Sequence, residues 1–377
     1  MPRTSKVIYY SPAGRVQNSE RELINYPPEG YKFQVAKVNP LAKSNFVFDK
    51  IRLRFLDRLM PLNLVKSGME NNIPNDVDLI YSYNHVIHSH INWVVNVEWS
   101  HILVGRDTRY FNKYKSNIEE ALSSNWCKGI LTWTQKAKDS IALCYDTRYF
   151  RDKIKVIPPT AHPKDYNRSY YKGGKLKILF IGSIDTPEDF YAKGGVEVIQ
   201  SFKILKENGY DVELTIRANA PKELELSGIR VIRNILPKNE FEELFKQADV
   251  FVLPSHYAQE MVVLEAMSWG LPVIASEIAT FGEYITECHD GLVLKTLPKL
   301  EYIQNNYLIS ETTDRFKLLE QIKSCNKDGV VNEIVLVIEN FIKNPEYVEQ
   351  LGRSAKKSSD NKFKIRNQMF KEVFDRC

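Results

Sequence analysis

Two charged residues of this chain sit in surroundings that call for an explanation. Glu265 interrupts the apolar run MVVLEAMSWGLPVIAS, between Leu264 and Ala266, and Lys193 precedes a Gly-Gly pair in FIGSIDTPEDFYAKGGVEVIQSF. A carboxylate enclosed by apolar neighbours is costly unless it accepts hydrogen bonds. Ligand hydroxyls such as a ribose diol would supply the donors, and so would N–H groups of the protein itself. A lysine at a strand–loop–helix junction can place its ammonium on a diphosphate. A lone lysine at such a place is more often simply solvated at the surface, so spacing leaves both readings open.

Both residues need elements to hold them. The pattern predicts a helix over Ala258–Trp269, ended by Gly270, with Pro272 opening the next strand. Apolar residues cover nearly all of its faces, so it is expected to be buried. It follows the strand Val250–Leu253, which aims its free N–H groups and positive dipole end into a cleft suited to phosphate. Lys193 stands between a strand at Ile178–Ile181, closed by Gly182, and a helix at Gly195–Asn208. The Walker spacing is absent, and no G-x-G-x-x-G follows a predicted strand, which argues against a dinucleotide oxidoreductase.

The same alternation runs through the whole chain. Further strands are expected at Val7–Tyr10, Phe33–Val38, Leu79–Ser82, Trp93–Val97, Ile130–Trp133, Ile154–Ile157, Val212–Ile216, Pro272–Ala275 and Leu292–Leu294. Further helices are expected at Ser116–Ser124, Lys136–Leu143 and Asn239–Gln247, and the chain turns helical after about residue 328. Near-continuous apolar strands separated by helices imply parallel sheets covered on both faces. The stretch VIPPTAHPKDYNRSYYKGGKLK, with its prolines, Gly-Gly and lysines, reads as a connector between two α/β domains, 1–165 and 166–377, the last helix packing back on the first domain. Two doubly wound domains in series leave a cleft at the carboxyl ends of their sheets.

Composition sets the class. The chain has 377 residues, 43% hydrophobic and 26% charged, as in a globular protein with room for two cores. A net charge of +5 would favour anionic ligands or an anionic membrane surface, but is too small to argue for nucleic acid. Five scattered cysteines read as reduced thiols, and MPRTSKVIYY carries no apolar signal core, so a cytoplasmic location is expected, with contact at the inner membrane surface compatible with it. Phe48–Lys66 alternates basic and apolar residues at roughly helical spacing, which suits either a lipid surface or a solvated helix face. His85, His88 and His90 fall close together, but no cysteine is near and they do not share one face, so no metal is expected there.

With these motifs in order, the second half resembles the donor-binding domain of GT-B glycosyltransferases, in particular the retaining family four. The resemblance rests on FIGSIDTPEDFYAKGG, ADVFVLPS, LEAMSWGLPVIAS, GEYI and DGLVL, over roughly 176–295. It implies the GT-B fold, two Rossmann-like doubly wound domains facing across a cleft, and transfer of a sugar from a nucleotide-sugar to a hydroxyl of a carbohydrate or lipid-linked acceptor, without a metal or other cofactor.

Residue by residue, the resemblance makes Glu265 an acceptor for the ribose hydroxyls and Lys193 a diphosphate contact. Gly182 closes the strand beside the donor, Ala279 and Thr280 stand where the family has a Gly-Gly pair, and Glu283 matches the acid after it. The family's first acid, eight positions before Glu265, is replaced by Tyr257, with Glu260 the nearest acid, and its phosphate-binding arginine is replaced by Ser183. In the first half, Glu98 and His101 in WVVNVEWSHILVGRD stand where the family has a strand running into the cleft, so with Lys193 they form the expected catalytic set, and Arg106 is a candidate for pairing an anionic group. A nucleotide-sugar epimerase and a non-catalytic nucleotide-sugar-binding scaffold are the alternatives.

Overall fold

Strands that are buried on both faces lose the polar–apolar alternation of an open sheet, and the inner strands Leu79–Tyr83, Trp93–Asn96, Val250–Leu253 and Val273–Ser276 of this protein are of that kind. The computed structural model describes residues 5–12, 16–36, 73–74, 76–105, 110–222, 227–256, 260–277, 281–298, 300 and 311–377. These fall into two units: Met1–Pro159, Gln304–Phe316 and Lys364–Cys377 form unit 1, and Thr160–Ile303 with Lys317–Phe363 form unit 2. Arg106 and Phe48–Lys66 lie outside the described residues.

Unit 1 contains β1 (Lys6–Pro12), α1 (Asn18–Asn25), β2 (Tyr31–Val35), β3 (Leu79–Tyr83), β4 (Trp93–Asn96), α2 (Phe111–Ser123), β5 (Cys127–Thr132), α3 (Gln135–Cys144) and β6 (Ile154–Val156). The six strands form one parallel sheet in the order β2-β1-β3-β4-β5-β6. On β3, Leu79, Tyr81 and Tyr83 enter one core with Leu23 of α1 and Phe370, Val373 and Phe374 near the C-terminus. Ile80 enters the opposite core with Trp93, Val95 and the α2 residues Ile118 and Leu122. The period of two puts successive residues into different cores.

Unit 2 contains β7 (Leu176–Ile181), α4 (Pro187–Ala192), α5 (Gly195–Glu207), β8 (Val212–Arg217), β9 (Ile229–Ile232), α6 (Lys238–Gln247), β10 (Val250–Leu253), α7 (Glu260–Ser268), β11 (Val273–Ser276), α8 (Phe281–Tyr284) and β12 (Leu292–Leu294). Helices α9 (Glu311–Ser324), α10 (Asp328–Lys343) and α11 (Pro345–Asp375) follow; α9 and α11 each contribute to both units. The second sheet is again parallel, in the order β12-β11-β10-β7-β8-β9. Its core joins Leu179, Phe251 and Ile274 from the strands to Met267 of α7, to Trp269 just after it, and to Ile338 and Phe341 of α10.

The proline-rich connector turns out to be a strap of unit 2. Arg168, only 8% exposed, donates from Nε to the Trp269 carbonyl at 2.9 Å and from Nη1 to the Ala248 carbonyl at 2.6 Å, and Nη2 reaches the Phe245 carbonyl. The guanidinium thus satisfies carbonyls at the ends of α6 and α7 that no helix partner could take. The sequence reading placed the division after residue 165, whereas unit 2 takes up Thr160 onward.

Five of these elements were not anticipated: α1, α4, β9, α8 and α9. Among the described residues, no helix is long and apolar enough to cross a membrane.

Candidate functional site

The parallel sheet of unit 2 brings the carboxyl ends of β7 and β10 side by side, since these strands are direct neighbours. β7 is followed by Gly182, whose N–H donates to the Arg217 carbonyl at 3.0 Å. A Cβ on Gly182 would stand 3.1 Å from the Ala218 Cβ and 3.2 Å from the Phe180 ring, so the close packing there favours glycine. The chain then enters α4, whose N-cap Thr186 accepts from the Asp189 N–H and which carries Pro at its first turn.

Lys193 caps α4, its N–H donating to the Asp189 carbonyl at 2.9 Å. Its side chain is only 3% exposed, so it is not the solvated surface lysine that spacing left open. Gly194 follows at φ +78°, and a Cβ on it would lie 2.2 Å from the Pro254 carbonyl oxygen. A Cβ on Gly195 would lie 2.2 Å from the Phe190 ring. The two glycines therefore let the main chain pass against β10's end and start α5 directly behind Lys193. The first N–H groups of this thirteen-residue helix and its positive dipole end lie at the same turn.

The end of β10 is fastened to that turn. The His256 N–H donates to the Ala192 carbonyl at 2.9 Å, and the Ser255 hydroxyl donates to the same oxygen at 3.4 Å. Ser276 of β11 donates to the Ser255 carbonyl. The His256 ring Nε2 lies 2.7 Å from Glu197 Oε1, with both side chains fully buried. Sequence reasoning missed this pair. Its only trace is an acid between Val196 and Val198 on a helix face that has to be apolar.

α7 begins at Glu260, which lies in its first turn. Tyr257, Ala279 and Thr280 lie outside the described residues, as does the side chain of Glu260. Glu265 is half-buried, a correction to the enclosed carboxylate expected from its neighbours. The helix is apolar on most of its surface but leaves Met261, Val262 and Glu265 partly open, so the acid lies at an accessible stripe rather than in the core. The Glu265 carbonyl accepts from the Ser268 hydroxyl at 2.7 Å, and Gly270 at φ +73° ends the helix as expected. Glu283 of α8 is exposed.

The DG of DGLVL has a structural task. Asp290, fully buried, accepts from the Thr286 N–H at 2.6 Å, the Ser358 hydroxyl at 2.6 Å and Lys362 Nζ at 3.2 Å. It pins the segment before β12 to α11.

In unit 1, Glu98 is half-buried, and its Oε2 accepts from Asn84 Nδ2 at 2.9 Å while its N–H donates to Asn84 Oδ1 at 3.0 Å. His101 is buried in a short 3-10 turn, Ser100–Val104. The three clustered histidines go separate ways. His85 is buried between the Tyr83 carbonyl and the Ser11 hydroxyl, His88 is exposed, and His90 packs edge-on against Trp126. Among the described residues no group of three or more potential metal ligands gathers.

A polar cluster beneath the carboxyl ends of β1, β3 and β4 was also missed. Asn96 Nδ2 donates to Glu20 Oε1 at 3.3 Å and to the Tyr81 hydroxyl at 3.0 Å. Burial pushes the Glu20 carboxyl up to about 8, with nearby Glu98 adding to the shift. Burial likewise raises the Tyr10 and Tyr81 phenols and brings the Arg366 guanidinium down to about 10.

In comparisons with known proteins, residues 175–301 match the family described as Glycosyl transferases group 1. A candidate glycosyltransferase 45 of Sulfolobus islandicus filamentous virus is 28% identical over 154 residues, 41% of this chain and 43% of its own. The D-inositol 3-phosphate glycosyltransferase of Arthrobacter is 25% identical over 156 residues, 37% of this chain and 36% of its own. The chain thus spans less than half the length of these curated relatives. Among solved structures, Anabaena HepE in complex with UDP and glucose superposes with a TM-score of 0.60 at 12% identity, over 98% of this chain and 99% of that one. The fold of this chain is that of the GT-B glycosyltransferases, an α/β architecture of two parallel six-stranded sheets.

Proposed function

We propose that this protein is a retaining glycosyltransferase that moves a sugar from a nucleoside-diphosphate sugar to a hydroxyl of a carbohydrate or lipid-linked acceptor. The observation that carries the reading is Lys193: a buried lysine at a turn of two sterically required glycines, directly before the N-terminus of α5. The match of 175–301 to a glycosyltransferase family, and relatives whose names carry that activity, support it. So does the UDP bound by the structural neighbour.

In this reading unit 2 holds the donor. Lys193 and the first N–H groups of α5 meet the diphosphate, in place of a metal, and stabilise the charge that builds on it as the glycosidic bond loosens. Gly182 lets the backbone come close, and Glu265 accepts from the ribose hydroxyls. Glu260, Ala279 and Thr280 complete the donor set by resemblance. By resemblance, Glu98 and His101 are the candidates for contact with the sugar or the acceptor hydroxyl. With no protein nucleophile in the set, retention would rest on the leaving phosphate taking the acceptor's proton on the same face. The basic, partly apolar stretch Phe48–Lys66 is the sequence feature that favours a lipid-linked acceptor and peripheral membrane contact.

The test is a thermal-shift screen with UDP, GDP and ADP, since a ligand that binds only the folded state raises the melting temperature by mass action. Transfer and hydrolysis assays follow with sugars on the nucleotide that stabilises. Transfer with the anomeric configuration kept supports the proposal. Interconversion of sugars without an acceptor points to an epimerase, and binding without turnover points to a scaffold.

A further inference from the structure

The buried His256–Glu197 pair has no part in the chemistry above, yet it touches both sides of the Lys193 turn. The His256 main chain bonds to Ala192, one residue before Lys193, at 2.9 Å. Its ring bonds to Glu197, four residues after Lys193 and in the first turn of α5, at 2.7 Å. Between these two attachments the turn itself rests on Pro254, through Gly194. One residue of the β10 end thus grips the turn before and after the lysine.

We propose that His256 is a positioning residue for the diphosphate site, its ring bond to Glu197 holding Lys193 and the start of α5 in one arrangement. The inference rests on the glycosyltransferase reading of that site.

The chemistry of the pair supports a geometric role. At 2.7 Å one partner must donate: imidazole N–H to carboxylate, or carboxyl O–H to ring nitrogen. The second atoms of both groups, Glu197 Oε2 and His256 Nδ1, are buried and have no hydrogen-bond partner among the described residues. Leaving such atoms unsatisfied works against stability, and an apolar pair of similar volume would serve a core as well or better. What an apolar pair cannot supply is direction. A hydrogen bond fixes distance and angle, and a helix start that must present N–H groups and a lysine to a phosphate needs both.

The test compares binding of the nucleoside diphosphate that stabilises the wild type with binding of the corresponding nucleoside. His256→Leu is expected to lose about tenfold or more of the diphosphate's advantage over the nucleoside, and to shrink the effect of Lys193→Ala, because residues acting as a unit are not additive. His256→Gln keeps an N–H for the carboxylate and is expected to restore most of the advantage. Equal loss for nucleoside and diphosphate, or a lowered melting temperature with the advantage intact, would mark a merely structural pair and overturn the proposal. Should His256→Leu fail to fold, Glu197→Leu takes its place as the broken pair, with His256→Gln again the variant that restores the bond. If the wild type binds no nucleoside diphosphate, the glycosyltransferase reading fails first. Hydrogen exchange of the Lys193–Glu197 amides then decides the clamp by itself, with unchanged protection in the variants sinking it.

Discussion

Gly194 lies so close to Pro254 that a Cβ on it would stand 2.2 Å from the Pro254 carbonyl oxygen. The turn also holds φ at +78°, a region where side chains are strained. Gly209 offers a control, because it has φ +83° with no atom of the described residues within 4 Å of its Cβ position. Gly209→Ala is expected to cost about 1 kcal/mol from the backbone alone. Gly194→Ala adds the clash and is expected to cost at least about 3 kcal/mol. Urea denaturation of the two variants checks this, and equal costs would mean that the turn can move away from β10.

Lys193→Ala removes the buried cation of the site. A charge-assisted contact to phosphate contributes about 1.5–3 kcal/mol, so affinity for the stabilising nucleoside diphosphate is expected to fall roughly ten- to a hundredfold. Binding of the bare nucleoside should change little. Calorimetry on both ligands separates the outcomes, and an unchanged diphosphate affinity removes Lys193 from the site.

Glu265→Gln tests the half-buried acid of α7. If its carboxylate accepts from ribose hydroxyls, the substitution weakens a ribonucleoside diphosphate by about tenfold and costs the 2′-deoxy analogue, which keeps only its 3′-hydroxyl, far less. Equal losses on both ligands would assign Glu265 to the fold alone.

The legibility of this chain follows burial. β3, β7 and β10 were readable because their strands are wholly or almost wholly buried, leaving continuous apolar runs. β9 was not, because it is the edge of its sheet and mostly half-exposed, with Arg230 breaking the run IRVI. α1 was missed because NSERELIN carries one apolar stripe so narrow that the segment reads as a loop. In the site, glycines made Lys193 conspicuous, since a lysine before Gly-Gly has a local explanation. The partnership of His256 with Glu197 spans 59 positions and depends on which strand lies beside α5, which no local pattern records. The half-exposure of Glu265 was equally hidden, since apolar neighbours in sequence do not tell which face of a helix stays open.

The strap of unit 2 makes its own prediction. Arg168→Met keeps much of the volume and removes donors that serve the carbonyls of Phe245, Ala248 and Trp269. Leaving buried carbonyls without partners costs about 1–3 kcal/mol each when water cannot replace the donor. A loss of at least about 3 kcal/mol in chemical denaturation is expected, with nucleotide affinity retained by the remaining folded protein. A loss under about 1 kcal/mol would mean that water reaches the strap and that Arg168 is not what holds it.

Glu20 gives unit 1 a pH dependence with a definite sign. Its carboxyl, ordinarily at 4.5, is held at about 8 by burial, with Glu98 raising it further and Tyr81 and Arg366 acting the other way. The folded protein therefore keeps a proton on Glu20 through a range in which the unfolded chain has released it. Folding takes up a proton there, so this stability is fully present below about pH 4.5 and is lost as pH rises through about 8. The loss should amount to a few kcal/mol, given that each unit of displacement corresponds to about 1.4 kcal/mol. Glu20→Gln keeps the shape and removes the titration, so its stability relative to the wild type should climb across that window. Urea midpoints of both proteins from pH 5 to 8.5 decide it: a widening gap places a neutral carboxyl among Tyr10, Tyr81 and Asn96, and parallel curves would mean that the acid is already ionised in the fold and solvated by more than its neighbours provide.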